Sequence, residues 1–173
     1  MKSVLIVEDQ KMVRDHMADC VNASDVFTLA GTLSNAAAAE IFCERNPVDL
    51  ILMDVCTDND ESGLDAAASI KKHLPNIKII IVTSMAECSF LERAKKAKAD
   101  SFWYKDISSE ELIEIMERTM NGESVYPNKT PEVKVGLTSS YEFTDSELKV
   151  LRLLVEGLSY EEIAAQLDIK PTT

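Results

Sequence analysis

Basic charge is scarce in this chain. Its 173 residues carry 18 Lys and Arg against 30 Asp and Glu, a net charge of −12. The first 126 residues and the remainder are each net acidic. No cationic excess is available to neutralise a phosphate backbone, so composition argues against tight nucleic-acid binding. Histidine is limited to His16 and His73, and the four cysteines, Cys20, Cys43, Cys56 and Cys88, form no C-x-x-C pair. That spacing disfavours a zinc site, and free thiols of a reducing compartment are expected. Long apolar runs are missing too: none approaches the ~20 residues that cross a bilayer. Met1-Lys2-Ser3 leads directly into an apolar run, without the pattern of a signal peptide. A cytoplasmic chain with no membrane partner is expected. There are no internal repeats.

What the chain does have is a set of short, continuously apolar runs. Val4-Leu5-Ile6-Val7 ends in Glu8 and Asp9; Leu50-Ile51-Leu52-Met53 ends in Asp54. Ile79-Ile80-Ile81-Val82 ends in Thr83-Ser84, and Ser101-Phe102-Trp103-Tyr104 ends in Lys105. Such runs predict strands buried on both faces of a parallel sheet. A further strand is expected over Val26 to Ala30. Helical patterns alternate with the strands. Gln10 to Val21 places Met12, Val13, Met17, Cys20 and Val21 on one face. Asn35 caps a helix over Ala36 to Arg45, stopped by Pro47. Further helices are expected over Ser62 to Lys72 and Glu87 to Lys98. A last helix is capped by Ser108 with Glu111 and stops at Asn121-Gly122. Five β-α units predict a doubly wound, flavodoxin-like α/β domain over residues 1–122, strand order 2-1-3-4-5. In such sheets ligands bind beyond the carboxyl ends of the strands. There Glu8, Asp9, Asp54, Thr83 and Lys105 converge.

Three carboxylates at close range raise one another's proton affinity, and a hard divalent cation relieves the repulsion. Mg2+, which takes oxygen ligands and keeps several waters, fits Asp9 and Asp54 as direct ligands and Glu8 as a direct or water-bridged one. The backbone carbonyl of Cys56 would complete the protein's share. Asp54 then becomes a nucleophile toward phosphorus, with Lys105 and the Thr83 hydroxyl neutralising the other phosphoryl oxygens. Each residue alone has an ordinary structural explanation. The conjunction, each residue type at the end of its own strand, points to a phosphoacceptor site.

Val7-Glu8-Asp9, Leu52-Met53-Asp54, Val82-Thr83-Ser84 and Tyr104-Lys105 resemble the motifs of response-regulator receiver domains. The resemblance covers residues 1 to about 122. It implies a sensor histidine kinase as phosphate donor to Asp54, and a coupled rearrangement of Thr83 with Phe102, the aromatic three residues before the lysine. One departure stands out. Receivers commonly carry a proline four residues after the acceptor and a glycine eight after it; here position 58 is Asp, and Gly63 lies nine after Asp54. The loop is one residue longer and acidic, with Asp58, Asp60 and Glu61.

Residues 123–142 show no clear periodicity and read as a linker. In residues 143–173, Thr144 with Glu147 and Ser159 with Glu162 form capping boxes, and Gly157 separates two short amphipathic helices. Phe143-Thr144-Asp145-Ser146-Glu147, Val150 to Ser159 and Glu162-Ile163-Ala164 are similar to the first half of a LuxR-type DNA-binding domain. With a receiver in front, the resemblance implies the NarL/FixJ class of transcriptional regulators. The recognition helix would begin near Thr172-Thr173, so the expectation is a shortened output half with a poorly folded tail. Promoter DNA would then be a partner of a full-length regulator and not of these 173 residues. A phosphorylation-dependent homodimer belongs to the same resemblance. Competing readings are a receiver working through protein contacts alone, an aspartate-nucleophile phosphatase and a flavin carrier. The phosphatase reading is disfavoured because Cys56 stands where a second acid is wanted. Glu8-Asp9 would repel a flavin phosphate. The chain is expected not to be an enzyme.

Overall fold

Segments with no polar face must be covered on both sides, and the apolar runs are. The computed structural model describes residues 1–127 except 86, 106 and 107. Beyond them it describes residues 134–135, 138–139, 147, 150–151, 153–154, 157–167 and 169. For residues 60, 88, 134–135 and 138–139 it describes the backbone only. Strands β1 (Lys2–Val7), β2 (Phe27–Leu33), β3 (Leu50–Met53), β6 (Lys78–Thr83) and β7 (Ser101–Tyr104) form one parallel sheet in the order β2-β1-β3-β6-β7. Counted within that sheet alone, the order is the expected 2-1-3-4-5. The small strands β4 (Cys56–Thr57) and β5 (Glu61–Ser62) make a separate antiparallel pair. Helices α1 (Lys11–Ala23), α2 (Ala39–Arg45), α3 (Gly63–His73), α4 (Cys88–Lys96) and α5 (Ser109–Met120) complete this unit.

Side chains alternate across each strand, so the sheet feeds two cores. Leu5, Val7, Ile51, Met53, Ile79, Ile81, Phe102 and Tyr104 face one way, with Leu64, Ala67, Phe90 and Ala94 of α3 and α4. Val4, Ile6, Leu50, Leu52, Ile80 and Val82 face the other, with Met17, Val21, Leu112, Ile115 and Met116 of α1 and α5. The helix signals work as expected. Asn35 accepts from the Ala37 N–H and Ser62 from the Asp65 N–H. Ser108 and Glu111 close a full capping box, and Gly122 takes the left-handed φ of 91° that ends α5.

Two expectations need correction. Met12 was placed on the buried face of α1 but is 87% exposed. Met17, Cys20 and Val21 define the buried stripe, and a residue five positions before Met17 lies about 140° round the helix. The second strand begins at Phe27 and runs on to Leu33, past Gly31. That glycine does not stop the strand: a Cβ there would stand 2.7 Å from Cζ of Phe42, so Gly31 lets α2 close on the sheet. Its register skips Ala30 between the pairs Val4–Leu29 and Leu5–Gly31.

The chain divides into two units, Met1–Pro131 and Glu132–Thr173. Within the stretch read as a linker, Val125 and Tyr126 pack on the first unit. Strands β8 (Lys134–Val135) and β9 (Thr138–Ser139) pair antiparallel in the second. Helix α6 (Tyr160–Leu167) buries Ile163 and Ala164. Ser159 caps it with Glu162, and Gly157 turns the chain before it at φ 88°. Thr144, Leu148, Val155 and Pro171-Thr172-Thr173 lie outside the described residues.

Candidate functional site

Thr83 ends its strand and the other site residues follow theirs by one or two positions, with Glu8, Asp54 and Lys105 each held by one more rung of sheet hydrogen bonding. The Glu8 N–H donates to Leu33 O at 2.9 Å, Asp54 N–H to Val7 O at 2.9 Å, and Lys105 N–H to Thr83 O at 2.9 Å. The sheet therefore brings Glu8, Asp9, Asp54, Thr83 and Lys105 to one edge. Ligating oxygens of Glu8, Asp9 and Asp54 lie within 4.8 Å of one another. Glu8, Asp54 and Thr83 are buried.

Lys105 occupies the middle of this group. Its Nζ stands 2.5 Å from Glu8 Oε2 and 2.9 Å from Asp54 Oδ2. Both contacts pair the buried ammonium with a buried carboxylate. Asp54 Oδ1 accepts from the Val55 N–H at 2.7 Å. Thr83 Oγ1 accepts from the Met85 N–H at 3.2 Å.

Burial raises the pKa of Glu8; Lys105 pulls it back and the Asp54 charge pushes it further up. Asp54 is likewise raised, by burial first and by Asp9 in addition, against the pull of Lys105 and the Val55 N–H. One ammonium thus leaves the three carboxylates short of neutralisation. Asp9 Oδ1 is buried with no hydrogen-bond partner. An unmatched buried carboxylate oxygen beside two others is the donor set of a hard oxygen-seeking cation such as Mg2+, and the residues fit one.

The acidic loop after Asp54 is well tied down. The Asp58 N–H donates to Ser34 O at 3.1 Å, Asn35 Nδ2 to Asp58 O at 2.8 Å, and the Ala36 N–H to Thr57 Oγ1 at 2.9 Å. Thr57 Oγ1 donates to Glu61 O at 2.8 Å. Asn59 takes a left-handed φ of 64° in the turn, a conformation asparagine tolerates. Gly63 closes the loop: its N–H donates to Val55 O at 2.8 Å, and a Cβ on it would sit 1.8 Å from the Asp54 carbonyl oxygen. Cys56 is exposed, with Sγ 3.5 Å from Met85 Sδ.

Phe102 is fully buried behind the site, its ring edge-on to Tyr104 at 5.2 Å and stacked on Tyr126 at 6.3 Å. His16 and His73 stand apart on exposed helix positions. Sequence reasoning missed Arg14, whose Nη1 donates to the carbonyls of both Glu8 and Asp9, at 2.5 and 3.0 Å. The available signal was its place in the first turns of α1, five residues after Asp9. Lys105 was expected to meet a phosphoryl oxygen; its ion pair with Glu8 was not foreseen.

Among the described residues no helix is long and apolar enough to cross a membrane. Residues 4–117 match the family described as response regulator receiver domain, and residues 142–173 match bacterial regulatory proteins of the luxR family. The chain is 33% identical over 174 residues to the transcriptional regulatory protein DesR of Bacillus subtilis, covering 100% of this chain and 84% of DesR. It is 33% identical to the response regulator protein VraR of Staphylococcus aureus, over 96% of this chain and 81% of VraR. A solved LuxR-family DNA-binding response regulator from Staphylococcus aureus superposes with a TM-score of 0.66 at 29% identity. It covers 70% of this chain and 100% of that one. The RcsB response regulator of Salmonella typhimurium shares the fold, with a TM-score of 0.67 at 18% identity over 98% of this chain and 84% of that one.

Proposed function

The chain belongs to the LuxR-type response regulators, and from that premise we propose that it takes a phosphoryl group onto Asp54 from a sensor histidine kinase to control a DNA-binding output. The observation that carries the reading is Asp54 itself. It is buried at a strand end, with the oxygens of Glu8 and Asp9 inside 4.8 Å and the Lys105 ammonium at 2.9 Å.

In the transfer, an Asp54 carboxylate oxygen attacks phosphorus in line with the donor's P–N bond. The P–O bond forms as P–N breaks, and the departing imidazole takes a proton from solvent. Charge neutralisation and positioning do the catalytic work in such a step. Glu8, Asp9, Asp54 and the Cys56 carbonyl would hold Mg2+, which supplies positive charge to the transferring phosphoryl oxygens. Lys105 shifts its contact from the carboxylates to the new phosphoryl group, and the Thr83 hydroxyl leaves the Met85 N–H to donate to it. Phe102, on the same sheet face as Thr83, then repacks. The outcome is regulation of transcription by a receiver and LuxR-type unit in a cytoplasmic two-component system, acting as a phosphorylation-dependent homodimer. The chain is a switch that is modified and not an enzyme turning over a separate substrate.

The test is incubation with acetyl phosphate and Mg2+ followed by intact-mass measurement. One phosphoryl adduct, lost in Asp54→Asn, is expected. Wild-type protein left unmodified under conditions that label another receiver overturns the reading.

A further inference from the structure

Immediately after α5 the chain turns back along the sheet. The Phe102 N–H donates to Val125 O at 2.9 Å, and the Val125 N–H donates to Ser101 Oγ at 3.0 Å. Val125 thus covers the outer side of β7, the edge strand. Ser101 Oγ is also 2.7 Å from Thr119 Oγ1, whose hydroxyl donates to Ile115 O in α5. Tyr126 adds three contacts. Its hydroxyl donates to Ala99 O at 2.8 Å, its ring stacks on Phe102, and the Lys95 ammonium of α4 lies 5.3 Å from the ring centre. Burial, and then the Asp100 charge, push the phenol up to about 12, so it stays a donor throughout the physiological range.

These contacts meet Phe102, one of the two residues proposed above to rearrange with Asp54. Ile81 pairs with Phe102 and Thr83 with Tyr104, so Thr83, Phe102 and Tyr104 project from one face. Tyr126 packs against that same group. It lies inside the first unit, five residues before that unit ends at Pro131.

We propose that Val125-Tyr126 is a latch holding the segment that follows α5 onto β7 while Asp54 is unmodified, and that phosphorylation loosens it. The proposal rests on the Asp54 reading above. When Thr83 turns to the phosphoryl group it vacates space beside Tyr104 and Phe102. Close-packed interiors do not leave such space open. Phe102, already fully buried, shifts toward the vacated space, and the stack on Tyr126 and the bond from the Phe102 amide to Val125 weaken together. The signal then leaves the receiver through the chain itself.

The test is amide hydrogen exchange on the full 173-residue chain, with and without acetyl phosphate and Mg2+, and Asp54 occupancy read by intact mass. The Phe102 and Val125 amides are expected to exchange roughly tenfold faster or more on phosphorylation, with Ile51 in β3 unchanged. Tyr126→Phe keeps the ring and loses the bond to Ala99, so its unmodified form is expected to exchange at an intermediate rate. Full occupancy with unchanged or slower exchange at Phe102 and Val125 removes the latch and leaves the Asp54 reading standing. Absence of any adduct removes both.

Discussion

At the scale of single residues, the acid cluster trades stability for reactivity. Glu8 and Asp54 hold their protons more tightly folded than unfolded. In the metal-free protein their contribution is therefore fully present below the ordinary carboxylate values and is lost as pH rises through the raised folded values. Mg2+ binds the ionised form, so the rise in melting temperature it produces should grow as pH climbs from the ordinary carboxylate range, about 4, toward neutrality. Thermal melts with and without saturating Mg2+ across that range check this; a constant shift would contradict it. Gly63 is a second residue-level case. A methyl there meets the Asp54 carbonyl, which is backbone and cannot rotate away. Gly63→Ala should cost about 1–3 kcal/mol in a urea titration and slow acetyl-phosphate labelling, because the acceptor must shift with its carbonyl. In the sequence Gly63 stood out only as a glycine displaced by one place from the receiver pattern. That it guards the acceptor's own backbone needed the loop geometry.

Whole elements were legible where their side chains had one solution. β3 was expected at Leu50–Met53 and is found there, because four buried apolar residues between Asp49 and Asp54 admit no other placement. The extension of β2 through Gly31 was not legible, since it depends on a ring from another helix. Nor were the clamps at the opposite end of the sheet. Asp49 takes the Ser3 N–H at 2.8 Å, and Asp100 takes the Ile79 N–H at 2.9 Å along with Lys78 and Lys71. Burial is the largest single effect on Asp100 and raises it, but the two lysines and the amide together bring it below the usual carboxylate range. Its stabilisation is thus present above the unfolded value and lost as pH falls through the folded one. Asp100→Ala strips the carboxylate from the buried Lys71, leaving it only the Ile77 carbonyl among its described partners, and removes the side-chain clamp on the Ile79 N–H at the start of β6. A loss of about 3 kcal/mol is expected, with the acid side of the stability–pH curve flattened. Urea titrations at neutral and acid pH measure both.

For the whole molecule, chemistry and output sit in separate units, and every residue assigned to phosphoryl transfer lies in Met1–Pro131. A chain ending at Pro131 should therefore label with acetyl phosphate within about twofold of the full rate, since positioning in the site sets that rate. A much larger drop would place part of the site's support in the second unit. The strongly acidic balance fits a molecule whose first unit gathers carboxylates for chemistry. The match of residues 142–173 to the luxR family had to come from pattern, because charge gave no hint of it. Cys56 offers something of practical use. Cys20 and Cys43 are buried, while Cys56 is exposed two residues from the acceptor. Burial and the neighbouring Asp54 and Asp9 charges raise its thiol, so alkylation is slow at neutral pH and quickens in mild base, where Cys56 is favoured over the buried Cys20 and Cys43. A fluorophore attached there would sit at the mouth of the acid cluster, giving an optical record of phosphate arrival and departure in real time without an engineered cysteine.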